Sequence, residues 1–355
     1  MSGRRWIGAL LVAVAALALG LTGCGGDEGD EAGGTAAQAT DEPEETLRVG
    51  LVTDIGGLND RSFNFLASQG LKQAEEELGA EGRILESKSD ADYIPNLSGL
   101  AEEGYHLVIG VGFLITEAVD RAATEYPDTN FAIVDVPIEA LPSKPDNVRG
   151  LIFKEQEGGY LAGYLAGLVQ SADLPRLNDE LVVSSVGGQK IPPVDRYIAG
   201  FMAGAKAANP NVTTLNAYSQ DFVDQAKCKE IALDQIAQGS DVIIQVAGGC
   251  GLGALDAAAD RGVWGIGADA DQSFLGDHIL ASALKRVDVS VFSTIEAVQT
   301  GEFRGGENSV FEVKNDGIGI GGLNEAIPPE IVEQVNAVRE QIASGELTGI
   351  PETVP

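Results

Sequence analysis

The sequence predicts an α/β fold arranged as two lobes. Short, continuous apolar runs alternate with amphipathic stretches along most of the chain, and that alternation argues for parallel sheets covered by helices on both faces. Nine such runs, at 47–53, 83–87, 107–111, 131–135, 148–153, 181–186, 213–217, 242–247 and 263–267, are too many for one compact doubly wound sheet. The alternation also pauses after "PDNVRGLIFKEQEGGYLAGYLAGLV" and restarts at "LVVSSVGG". The pause puts a crossover between lobes near residues 150–155.

The N-terminal residues stand apart from this pattern. Arg4 and Arg5 precede an apolar run of 16 residues at 6–21, closed by "LTGC". The run is shorter than the roughly 20 residues a spanning helix needs, and its three-part layout is that of a secretory signal. Leu21-Thr22-Gly23-Cys24 resembles a bacterial lipobox, in which cleavage before Cys24 is followed by its lipidation; multiple acyl chains anchor a protein firmly. Residues 24–45 carry eight acids, no basic residue and almost no apolar bulk. Such a stretch cannot bury enough surface to fold and reads as a flexible tether. The expected location is the extracytoplasmic face of the cell membrane.

Within the body, residues 63, 66, 70, 71, 74 and 78 step at three or four, as do 118, 122 and 126, the spacing of amphipathic helices. The stretch "ILASALKRVDVSVFSTIEAVQTGEF" followed by "SVFEVKNDGIGIGG" does not extend the βα rhythm. It reads as the chain returning to the first lobe and crossing again, which makes a multi-strand hinge. The expected organisation is a first lobe at 46–152 with a return segment at about 279–308, and a second lobe at 153–278 with a C-terminal segment at about 309–355.

Formal net charge is −31, and removal of residues 1–23, which hold two arginines and no acid, takes it to −33. A surface this acidic argues against nucleic acid as a partner. Once Cys24 is set aside, Cys228 and Cys250 remain. In an oxidising compartment they are expected to form a disulfide, with two separate buried thiols as the alternative. No metal site is expected, because the histidines, His106 and His278, lie far apart in the sequence. Acids, glycines and aromatics collect after the strands: Asp54, Gly112-Phe113, Asp135, Gly187-Gly188, Asp221-Phe222, Gly248-Gly249 and Asp269 with Asp271. Open α/β sheets bind ligands at those ends, although turns and caps use the same residue types. Seven such places together point to a cleft between lobes.

Catalytic signatures are missing: there is no GxxxxGK[ST], no G-x-S-x-G and no HExxH. Gly249-Cys250-Gly251-Leu252-Gly253-Ala254, with Asp269 beyond it, approximates a dinucleotide fingerprint. An NAD-binding enzyme is therefore one alternative to a binding protein that needs no cofactor and catalyses nothing.

The motifs "VGLVTDIGGLNDRSFN", "FKEQEGGYLAGYLAG", "VGGQKIPPVDRYIAGFMAGAKAANP", "IGADADQ" and "ILASALKRVD" resemble the basic membrane protein (BMP) family. These are substrate-binding lipoproteins of ABC importers, typified by purine nucleoside receptors. The resemblance implies a two-lobed periplasmic-binding fold of the ribose-binding type, a monomer closing on one nucleoside and delivering it to an ABC permease and its ATPase. A sugar or another small metabolite in the same fold is the nearest alternative. Carried over by motif, Phe63 and Phe222 would sandwich the base. Asp54, Asp60 and Asn64 would line the first lobe's rim, with Asp60 or Asn64 facing the base edge. Gly248 would pass close to the ligand, and Asp269 and Lys285 would bond the ribose with Asp135 assisting. The motif leaves Asp269 and Asp271 both open for the ribose role.

Overall fold

Residues 46–355 are described by a computed structural model. The expected signal at 1–23, the lipidation at Cys24 and the tether at 24–45 lie outside the described residues. The body holds two six-stranded sheets. In the first, β1 (Arg48–Thr53), β2 (Glu81–Glu86), β3 (Leu107–Val111), β4 (Asn130–Val134) and β5 (Val148–Phe153) run parallel with β11 (Asn308–Phe311), in the order β11-β5-β4-β3-β1-β2. The second comprises β6 (Val182–Gly187), β7 (Thr213–Tyr218), β8 (Ser240–Val246), β9 (Trp264–Asp269), β10 (Ile279–Lys285) and β12 (Ile318–Gly321), ordered β12-β10-β9-β8-β6-β7. There β12 pairs antiparallel to β10 and the other pairs are parallel.

Burial explains the strand sequences. β3 (LVIGV) and β8 (SDVIIQV) lie inside their sheets and are buried at every position, as strands covered on both faces must be. β2 stands at an edge and is more exposed. Helices cover the sheets: α1 (Phe63–Leu78), α2 (Tyr93–Glu102) and α3 (Thr116–Glu125) follow the first strands, and α4 (Glu155–Val169) follows β5. Next come α5 (Pro192–Ala208), α6 (Gln225–Ala237), α7 (Gly248–Arg261), α8 (Val287–Gln299) and α9 (Pro329–Ser344). None of the described helices is long and apolar enough to cross a membrane.

The chain passes between the sheets three times: after β5, after β10, and between β11 and β12. These passages lie side by side. The Lys154 amide donates to the Phe311 carbonyl at 2.9 Å and the Arg286 amide to the Gly317 carbonyl at 2.9 Å. The Lys154 ammonium pairs with Glu157 and Glu312.

One boundary differs from expectation. The sequence pattern puts the return to the first lobe at about 279–308, yet β10 (Ile279–Lys285) belongs to the second sheet, parallel to β9. Its small and apolar residues are almost entirely buried, as befits a strand flanked on both sides within the second sheet, which the chain leaves at Arg286. The return consists of α8, which packs on α1, and β11, which pairs with β5. Residues 309–311 thus belong with the first sheet, and the C-terminal segment re-enters the second sheet with β12, followed by α9 packed on α4.

Candidate functional site

The carboxyl ends of the two sheets line a shared cavity, the place where open α/β sheets bind ligands. All nine residues singled out for ligand contact line it: Asp54, Asp60, Phe63 and Asn64 after β1, Asp135 after β4, Phe222 after β7, Gly248 after β8, Asp269 ending β9 and Lys285 ending β10. Of the two acids left open, Asp269 lines the cavity, while an Asp271 carboxylate oxygen accepts from the Ser273 amide at 2.9 Å.

Asp60 builds the first lobe's rim. Its carboxylate accepts from the amides of Ser62 at 3.0 Å, Asn64 at 2.8 Å and Phe65 at 3.1 Å, serving the free N–H groups at the start of α1. This fixes Phe63 and Asn64 at the cavity wall. The Asp54 carboxylate accepts from the Gly56 amide at 3.1 Å and the Asn64 side-chain amide at 3.0 Å. The other Asn64 atom, Oδ1, is buried and has no hydrogen-bond partner among the described residues. Gly112, with φ of 105°, lets the β3 turn pass close by, since a Cβ there would lie 2.5 Å from Asp54 Oδ2 and 3.3 Å from the Phe63 ring. On the opposite wall a Cβ at Gly188 would overlap the Phe222 ring.

At the base of the cavity Lys285 is 2 % exposed. Its Nζ lies 2.6 Å from Asp135 Oδ1 and 3.0 Å from Glu155 Oε1, and 4.9 Å from the ring centres of Phe63 and Phe153, within cation–π range. Burial alone would lower its pKa, but the carboxylates of Asp135, Glu155 and Asp269 push it up overall. Burial raises Asp269 to about 7 against the opposing pull of Lys285. Burial also raises Asp135 to about 6, again offset by Lys285, and Asp54 to about 6, offset by its hydrogen bonds from Asn64 and Gly56. Asp135 (φ 72°) and Asp269 (φ 65°) occupy the left-handed region, a conformation that collects at functional sites.

Sequence reasoning missed two residues of the site. Tyr197 lines the cavity and donates to the Ala283 carbonyl at 3.2 Å, and Glu155, fully buried, accepts from Lys285. Both sit in motifs already noted, "FKEQEGG" and "DRYIAG", which do not show what their side chains touch. The glycine-rich run resembling a dinucleotide fingerprint has another use. Gly251 and Gly253 begin α7, and a Cβ on either would overlap Gln245 or the Gln225 carbonyl, so these glycines let α7 pack tightly on its neighbours. Cys250, immediately before Gly251, is joined to Cys228 on α6, with Cα atoms 5.6 Å apart.

Comparison with known proteins agrees with this architecture. The family described as "ABC transporter substrate-binding protein PnrA-like" matches residues 47–352. A Listeria innocua protein named CD4+ T-cell-stimulating antigen is 33% identical, covering 94% of each chain. The ABC transporter nucleoside-binding protein BmpA of Lactococcus lactis subsp. cremoris is 32% identical over 97% of this chain and 98% of its own. Among solved structures, an ABC transporter solute-binding protein from Aeropyrum pernix K1 superposes with a TM-score of 0.75 at 29% identity, covering 86% of this chain and 94% of that one.

Proposed function

Because the chain belongs to the PnrA-like family of ABC transporter substrate-binding proteins, we propose that its cleft takes up a purine nucleoside and presents it to an ABC permease and its ATPase. The protein acts as a monomer tethered outside the cell membrane through lipidated Cys24, and it catalyses no reaction. The observation that carries the ligand reading is the meeting of two chemistries in one cavity. Phe63 and Phe222, from opposite lobes, supply ring faces, and Asp135, Asp269 and Lys285 supply a polar group at the base. Stacking on an aromatic ring contributes about 1–3 kcal/mol per base, and vicinal hydroxyls suit carboxylate acceptors beside an ammonium donor. The name of the Lactococcus lactis relative points the same way.

In this reading Phe63 and Phe222 hold the base and Asn64 reads its edge, since its Oδ1 is a buried acceptor without a hydrogen-bond partner. Asp60 serves by holding the start of α1, Asp54 by orienting Asn64, and Gly248 by admitting the ligand close to the backbone of α7. Asp269 and Lys285 bond the ribose and Asp135 steadies the ammonium. Equilibrium titration with purine nucleosides, pyrimidine nucleosides, free pentoses and nucleoside 5′-monophosphates tests the assignment. We expect saturable binding of purine nucleosides, and at least tenfold weaker binding of the monophosphates because the cavity's carboxylates outnumber its one ammonium. Absence of heat or stabilisation with every nucleoside, or tighter binding of a pentose, would refute it.

A further inference from the structure

We propose that Glu155, backed by Arg196, is a positioning residue that sets the Lys285 ammonium for the ligand. Glu155 is fully buried at the first turn of α4, immediately past the first passage between lobes. Its Oε1 accepts from Lys285 Nζ at 3.0 Å, and its Oε2 accepts from the Arg196 guanidinium at 2.7 Å. Arg196 comes from α5 and also reaches the Phe153 carbonyl at 3.5 Å. The carboxylate is therefore held from behind by one cation while it holds the other in front.

The protons on the ammonium show what this arrangement does. A lysine side chain has three N–H donors and no acceptor. Glu155 accepts one of them at 3.0 Å, Asp135 forms an ion pair with the ammonium at 2.6 Å, and the rings of Phe63 and Phe153 confine the group at 4.9 Å each. Donor capacity is left over, and Lys285 lines the cavity together with Asp269. Asp135 belongs to the first sheet's end and Lys285 to the second's, so without Glu155 the ammonium would have no anchor on its own lobe. It would then be drawn to Asp269, the remaining carboxylate beside it, and the two groups assigned to the ribose would neutralise each other. By holding Lys285 back, Glu155 keeps both available.

The inference rests on the ribose role given to Lys285 and Asp269, so its test has one arm that needs no ligand. In 15N-lysine-labelled protein, the Lys285 ammonium, assigned with Lys285→Arg, is expected to exchange its protons slowly at neutral pH. Glu155→Gln should shift and broaden that signal. Glu155→Gln/Arg196→Gln should do the same while restoring local charge balance, which guards against a variant that fails to fold. An unchanged ammonium signal in both folded variants would overturn the positioning role whatever the ligand is. The second arm compares inosine with 2′,3′-dideoxyinosine. Both variants should weaken inosine binding at least tenfold and leave the dideoxy analogue within about twofold. Equal loss for both compounds would reduce Glu155 to a structural residue and overturn the inference. Failure of wild type to bind either compound would sink the nucleoside reading, and the ammonium signal would then decide the role of Glu155.

Discussion

Burial of Asp269, Asp135 and Asp54 in one cavity gives the free protein an unusual dependence on pH. Their carboxyls rise from 3.8 to about 7, about 6 and about 6, so between pH 4 and 7 the folded state binds more protons than the unfolded chain. Stability from these groups is fully present below about pH 4 and is lost as pH rises through their folded values. Asp221 acts in the opposite sense, being lowered to about 2 by Lys227 and backbone amides, but its contribution falls away only as pH drops from about 4 towards 2. The melting temperature of ligand-free protein should therefore rise when pH is lowered from 7.5 to 5, and Asp269→Asn should flatten that slope. A melting temperature that falls over this range would contradict the burial of these groups. For the ligand itself, Phe63→Ala and Asp269→Ala should each weaken nucleoside binding at least tenfold, about 1.4 kcal/mol. Wild-type affinity in either would remove that residue from the site. Phe63, Phe222 and Lys285 were legible because each sits in a motif with its own residue signature. Glu155 and Arg196 were not, because their roles arise only where two passages of the chain meet.

Helix packing decides much of the second lobe. Gly159 and Gly163 on α4 face α5 so closely that a Cβ at Gly163 would overlap the Phe201 carbonyl. The repeat "GGYLAGYLAG" is thus a contact surface and not a loop. Two effects oppose each other in Gly163→Ala. Helix propensity favours the change by about 1 kcal/mol, whereas overpacking a close contact costs about 1–3 kcal/mol; against rigid backbone the second should win. We expect a lower denaturant midpoint with unchanged m-value. Gly99 in α2 has nothing within 4 Å of its would-be Cβ, so Gly99→Ala should be neutral or stabilising. Stabilisation by both would show that α4 and α5 are not in such contact. The first nine strands were legible as apolar runs bounded by turns. β11 and β12 were not, because each has four residues, too few for a period to show. β10 escaped notice because its apolar run continues into α8 after Arg286 alone.

At the scale of the whole molecule, the two lobes followed from counting strands, and the cleft from what stands at their carboxyl ends. Topology, however, required knowing which sheet each late strand joins, and no local pattern in "ILASALK" distinguishes the two. Three adjacent passages joined by backbone hydrogen bonds link the lobes, and a ligand touching Phe63 on one lobe and Phe222, Asp269 and Lys285 on the other would bridge them. A ligand at a hundredfold excess over its Kd stabilises the state it binds by about 2.7 kcal/mol. The most direct measurement is a crystal structure of the protein grown with a purine nucleoside. The account predicts the base between the rings of Phe63 and Phe222, with ribose hydroxyls on Asp269 and Lys285. A nucleoside bound away from those rings, or a cleft holding a different molecule while the nucleoside stays in solution, would contradict it.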